Sequence, residues 1–167
     1  MSLPRIANVR EERRFLLPDV EAVRDLLKQR GDLNSYRTRT LYVDSPDGTW
    51  SKDPAKPRYR LRVYNNQDCF LEVKLRIPGT RCYVKRRRKA DGAPEGMVTL
   101  GSSRYTRQEW EQGPVRVTID QQVSTDSRVL QGFVVETKLP VGDPLPNWLK
   151  LLKPYERDFS KWRWVSG

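Results

Sequence analysis

The 167-residue chain contains no histidine. That removes the usual general base near neutral pH, the commonest zinc ligand and every serine–histidine or cysteine–histidine nucleophile pair. Its chemistry must therefore come from carboxylates, cations and a bound metal, and these residue types recur at a fixed spacing. In 57–64 (PRYRLRVY) Arg58, Arg60 and Arg62 alternate with Tyr59, Leu61 and Val63. In 69–77 (CFLEVKLRI) Glu72, Lys74 and Arg76 alternate with Leu71, Val73, Leu75 and Ile77. Segment 81–88 sets Arg81, Lys85 and Arg87 against Cys82 and Val84, and 115–120 sets Arg116, Thr118 and Asp120 against Val115, Val117 and Ile119. In VVETKL, Glu136 and Lys138 oppose Val135 and Leu139.

Alternate side chains of a strand point to opposite faces, so each segment has one apolar and one ionic face. One such strand reads as the solvated side of a sandwich. Five together read differently, because Ser, Thr, Asn or Gln would serve solubility equally well and few occur there. If the sheet closes, the ionic faces line a lumen and the sheet edges disappear. The basic set facing that lumen is Arg14, Arg60, Arg62, Lys74, Lys85, Arg87, Arg107, Arg116, Lys138 and Lys161, against Glu12, Glu72, Asp120 and Glu136. The surplus of about six positive charges repels itself strongly in a confined space. A polyanion relieves the repulsion, and arginine forks suit phosphate oxygens.

The elements that must position these residues follow from periodicity and turn signals. Segment 9–17 is a strand ended by Pro18. Residues 19–30 place Val20, Val23, Leu26 and Leu27 at helical spacing with Gly31 beyond. Further strands are expected at 36–43, 57–64, 69–77, 81–88, 104–110, 114–120 and 132–139, separated by turns such as SPDG at 45–48 and NNQD at 65–68. The tail carries Trp148, Leu149, Leu151, Leu152, Tyr155, Phe159, Trp162 and Trp164, able to close one end as a short helix or strand. The fold expected is mainly β (α+β): a closed eight-stranded antiparallel β-barrel with a short N-terminal helix and a C-terminal helical tail, one domain over 1–167. A net charge of +11 favours a polyanionic partner. Two cysteines, Cys69 and Cys82, and no apolar run of membrane-spanning length lead to the expectation of a reduced, soluble, cytoplasmic protein. The five tryptophans read as packing residues.

Several motifs in order along the chain match one family. RxExRF at 10–15, TLYVDSPDG at 40–48, RYRLRVY, FLEVK, VKRR, YxR at Tyr105 and Arg107, VRVTID, VVETK and FSKW at 159–162 together resemble the triphosphate tunnel metalloenzymes, from about residue 10 to 162. Within that superfamily the chain looks like the VTC-type polyphosphate polymerase domain of the vacuolar transporter chaperone complex. The related CYTH branch opens with ExExK, and here Arg10 stands where its first glutamate would be. The resemblance implies phosphate binding by Arg14, Arg60, Arg62, Lys74, Lys85, Arg87, Tyr105, Arg107, Arg116 and Lys161, joined by the lumen residue Lys138. It implies a catalytic set of Arg60, Arg62, Lys74 and Glu136. It also implies a divalent metal, Mn²⁺ or Mg²⁺, held chiefly by Glu136 with Glu12 and Glu72 as further candidates. Departures from the pattern are Arg14 in place of lysine, Asp158 where a cation is expected, and a short stretch between Arg88 and Tyr105.

The activity implied is phosphoryl transfer on a triphosphate or polyphosphate chain. With the end of a growing chain as acceptor the reaction is polyphosphate synthesis from ATP, and with water it is triphosphate hydrolysis. The alternative is a noncatalytic module for polyphosphate or RNA, suggested by YVKRRRK at 83–89, where Arg86, Arg88 and Lys89 are expected outside the lumen phase.

Overall fold

The structure is a computed structural model and describes residues 10–79 and 82–166. Eight strands appear in chain order: β1 Arg10–Leu17, β2 Asn34–Asp44, β3 Arg58–Tyr64, β4 Asp68–Arg76, β5 Cys82–Lys89, β6 Val98–Gln112, β7 Val115–Ser124 and β8 Phe133–Pro140. Helix α1 spans Glu21–Lys28, α2 spans Lys161–Ser166, and 3-10 segments cover Trp50–Lys52 and Asn147–Tyr155. The strands close into a barrel in the order β1-β5-β4-β3-β2-β6-β7-β8, every pair antiparallel. At the seam Arg10 lies opposite Tyr83 and Glu11 opposite Cys82.

Period two sorts the side chains, and the largest apolar core lies outside the barrel wall. Val117, Ile119, Val135 and Leu139 point outward from β7 and β8 and are covered by Val23 and Leu27 of α1 and by Leu149 and Leu152 of the tail, with Phe15 and Trp110 between them. A second cluster of Val43, Leu61 and Leu71 on the outer faces of β2, β3 and β4 is covered by Ala90, Ala93 and Met97 of the β5–β6 connection. Most of the inward face is left to charged and hydroxyl side chains, with a smaller apolar cluster of Tyr105, Val123 and Val134.

Strand boundaries lie close to those expected, with one large difference: β6 starts at Val98 rather than at 104. Gly101, Ser102 and Ser103 have the composition of a turn, yet they pair with β2 opposite Tyr42, Leu41 and Thr40. Their small size is used there. The Ser103 hydroxyl is 3.0 Å from the Tyr42 hydroxyl, and a Cβ on Gly101 would meet Val165 Cγ1 of α2 at 2.7 Å. The β3–β4 hairpin turns through Asn65 and Asn66 at φ of 51° and 60°, a left-handed conformation that asparagine tolerates. The position of Arg81, expected on the ionic face, lies outside the described residues. Among the described residues no helix is long and apolar enough to cross a membrane, and Cys69 and Cys82 are free thiols.

Candidate functional site

The inward carboxylates organise the lumen, each gripped by cations from neighbouring strands. Glu72 on β4 is fully buried, accepts a hydrogen bond from Arg60 Nε at 2.6 Å and is ion-paired with Lys85 Nζ at 3.2 Å and Arg62 Nη1 at 3.6 Å. β4 lies between β3 and β5, which is why one carboxylate reaches cations on both. On β1 the guanidinium of Arg14 spans two acids, donating to Glu12 Oε2 at 2.6 Å and to Glu136 Oε2 at 3.0 Å, while Lys74 Nζ donates to Glu12 Oε1 at 3.1 Å. Lys138 Nζ lies 3.9 Å from Glu136 Oε1. Asp120 on β7 takes a bidentate fork from Arg107, at 2.7 and 2.9 Å, and Lys161 Nζ of α2 at 2.5 Å.

Burial alone would neutralise these acids. For Glu12, burial and the neighbouring Glu136 push the pKa up, and Lys74, Arg14 and Lys138 outweigh them, leaving it at about 2. Asp120 is likewise held at about 2, burial being overcome by Arg107 and Lys161. Lys74 is pushed down to about 7, by burial first and by Arg14 and Arg60, against the pull of Glu12 and Glu136. Tyr105 is brought down to about 8: burial opposes its ionisation, but Arg62, Arg107 and Lys161 surround the ring.

Two cavities open from this lumen. The near cavity, about 440 Å³, is lined by Glu12, Arg14, Arg60, Arg62, Lys74, Arg107, Glu136 and Lys161. The far cavity, about 650 Å³, is lined by Lys85, Arg87 and Arg116, and Lys138 lines both. The near end is capped by α2, whose Trp162 packs edge-on against Tyr42 with ring centroids 4.9 Å apart. Trp164 inserts beside Tyr105, Val123 and Val134, where the inward face turns apolar.

Of the residues picked from the sequence, the ten basic ones all border one of the two cavities. Tyr105 lies beneath them, buried, with the Arg107 and Lys161 charges over its ring at 5.1 and 4.5 Å and its hydroxyl 3.3 Å from Thr40 Oγ1. Glu72 sits in the wall among three cations. Lys89, expected outside the lumen phase, pairs opposite Phe70 and so shares the phase of Lys85 and Arg87, whereas Arg86 and Arg88 are outward as expected. Arg10 turns to the far mouth, 3.6 Å from Glu111.

Sequence reasoning missed three inward features. Tyr83 lies beneath Lys74 Nζ at 3.9 Å, and Tyr36, Thr38, Thr40 and Tyr42 give β2 a neutral inward face. Glu109 on β6 accepts from Arg116 Nη2 at 2.9 Å and from the Tyr36 hydroxyl. Glu109 and Tyr83 carried a usable signal, since each is two residues from a chosen cation, Arg107 and Lys85.

A divalent metal can be tested against these donors. No group of three or more His, Cys, Asp or Glu side chains gathers among the described residues. Glu12 and Glu136 share one guanidinium and so present an all-oxygen pair beside the near cavity. Such a pair fits Mg²⁺ or Mn²⁺, which are bound by one or two carboxylates with waters and substrate phosphates completing the shell. Glu72 lines neither of these two cavities and lies buried among Arg60, Arg62 and Lys85.

No family model matches the chain, and no curated protein matches it in sequence. Solved structures share its fold. A candidate adenylyl cyclase from Hippeastrum, HpAC1, described as having a dominant triphosphatase activity, is 16% identical with a TM-score of 0.63, covering 93% of each chain. A candidate adenylate cyclase from Vibrio parahaemolyticus is 14% identical with a TM-score of 0.67, covering 96% of this chain and 99% of its own. A chain of the Schizosaccharomyces pombe Mediator head module is 12% identical with a TM-score of 0.58, over 88% and 89%. At these identities the likeness is one of fold: this chain shares its barrel with proteins described as candidate cyclases, one of them with a dominant triphosphatase activity.

Proposed function

We propose that the chain is one tunnel domain over 1–167 that binds a triphosphate or polyphosphate chain with a divalent metal in the near cavity and transfers its terminal phosphoryl group. The single observation that carries this reading is the convergence of Arg14, Arg60, Arg62, Lys74, Arg107 and Lys161 on one cavity that also exposes the Glu12 and Glu136 pair. In phosphoryl transfer, positioning and charge neutralisation supply most of the acceleration. Arg60 and Arg62, fixed by Glu72, would align the phosphate oxygens. Arg14 would hold Glu12 and Glu136 at a fixed separation, and Lys74 and Lys138 would offset the charge of that pair. A bound Mg²⁺ or Mn²⁺, held by Glu136 and Glu12, would neutralise phosphate charge.

The acceptor fixes the product. Polyphosphate synthesis from ATP draws support from the VTC-like motifs, and hydrolysis draws support from the fold shared with a protein of dominant triphosphatase activity. A noncatalytic binder is the second reading, favoured by the lack of a third carboxylate beside Glu12 and Glu136 among the described residues. Incubation with ATP and Mn²⁺, or with tripolyphosphate, separates these readings. Long polyphosphate identifies a polymerase and orthophosphate alone a hydrolase; product from neither substrate leaves the binder. Glu136→Gln should lower any product formation by about 10²–10³-fold, the scale of losing one transition-state contact. Product formation undiminished in that variant would contradict the assignment of the metal to Glu136.

A further inference from the structure

Beside cations already read as phosphate-binding, the far cavity holds an acid that the phosphate-tunnel reading does not use, Glu109. Its floor and wall carry Lys85, Arg87, Arg116 and Lys138, a cationic set of its own, yet Arg116 is already engaged by Glu109 at 2.9 Å. Glu109 is fixed in turn by the Tyr36 hydroxyl. Burial opposes its charge, but the Tyr36 hydrogen bond and Arg116 hold its carboxyl below the ordinary range. Glu109 Oε2 takes both contacts and so occupies Arg116 Nη2, a donor that a phosphate oxygen would otherwise use.

The strand register places Glu109 relative to the near site. Glu109, Thr118 and Glu136 lie in one row across β6, β7 and β8, so the two acids stand two strands apart, roughly 10 Å along the wall at ordinary strand spacing. Thr118 between them is 1% exposed and its hydroxyl has no hydrogen-bond partner. The hydroxyl of Thr38, on the inward face of β2 two residues from Tyr36, is also buried and unpartnered. Native buried hydroxyls are nearly always satisfied, so these two inward-facing hydroxyls offer hydrogen bonds to an occupant of the lumen, where Lys138 borders both cavities.

From this we infer that Glu109 is a resident competitor for phosphate at the cations of the far cavity and sets the chain-length preference of the tunnel. The inference rests on the phosphate-tunnel reading. A tripolyphosphate fills the near cavity and leaves the Glu109–Arg116 pair closed, while a longer chain extends past Lys138 into the far cavity and must displace Glu109 from Arg116. Replacing the acid by its neutral isostere removes the competing charge and favours the longer ligand.

Calorimetric titration of the wild type and Glu109→Gln with tripolyphosphate and with long-chain polyphosphate tests this. The ratio of long-chain to tripolyphosphate affinity, per chain, should rise about tenfold in the variant, equivalent to about 1.4 kcal/mol. Tyr36→Phe, which loosens Glu109 without removing it, should move the ratio the same way by less, and it carries the test if Glu109→Gln does not fold. An unchanged or reduced ratio in the folded variants overturns the inference and makes Glu109–Arg116 an ordinary structural pair, while tripolyphosphate binding by the wild type still upholds the tunnel. If the wild type binds neither ligand, the tunnel reading fails and takes this inference with it.

Discussion

Residue by residue, the lumen is a set of acids each surrounded by more positive charge than it can neutralise, and Tyr105 reports on that surplus. Its ring lies under Arg107 and Lys161, and its pKa of about 8 reflects those charges and Arg62 overcoming burial. The folded pKa is below the ordinary value of 10.0, so this group adds stability as pH rises from about 8 toward 10 and none below that window. Ultraviolet titration should show one tyrosine ionising near pH 8 in the free protein. Tripolyphosphate, by neutralising the same cations, should shift that step upward; a step unmoved by ligand would place the phosphates away from Arg62, Arg107 and Lys161. These cations were legible in the sequence because charge on every second residue is a strong signal. Thr38, Thr40 and Tyr42 were not legible, since hydroxyl and aromatic side chains are equally at home on either face of a strand.

At the scale of elements, single side chains tie strands together. Glu72 joins β3, β4 and β5 through Arg60, Arg62 and Lys85. Glu72→Gln keeps the shape but strands three cations, and removing one partner from a buried ion network costs about 3–5 kcal/mol. A thermal melt should show the loss, and tripolyphosphate should restore much of it, because phosphate replaces the missing negative charge. A loss with no such recovery would mean that these cations serve only the wall. The C-terminal helix is set by contact with Gly101, where an added Cβ would lie 2.7 Å from Val165 Cγ1. Gly101→Ala should therefore loosen α2 and hasten proteolytic cleavage of the tail, while an unchanged cleavage rate would show that the helix shifts without detaching. The eight strands and α1 could be read from periodicity, while the apolar tail could be read only as a short helix or strand. The early start of β6 could not, since Gly101, Ser102 and Ser103 look like a turn until their packing partners on β2 and α2 are known.

For the whole molecule, the organisation is inverted relative to a common sandwich, with the two main apolar clusters outside the wall and the ten chosen cations bordering the two cavities. The sequence pattern carried this inversion, because α1 and the apolar tail supply cover for one outer face and the ionic faces then need somewhere to go. How the surplus is partitioned was hidden, because Glu109 lies on β6 where only Tyr105 and Arg107 had been singled out. The inward acids Glu12, Glu72, Glu109, Glu111, Asp120 and Glu136 leave cations in excess, so the empty barrel carries a repulsive cost that an anionic ligand removes. The most direct measurement is therefore a thermal melt at low salt with and without tripolyphosphate. Stabilisation of about 2.7 kcal/mol at a hundredfold excess over Kd, shrinking as salt is added, is the predicted result. A melting temperature that tripolyphosphate does not move would contradict the phosphate tunnel itself.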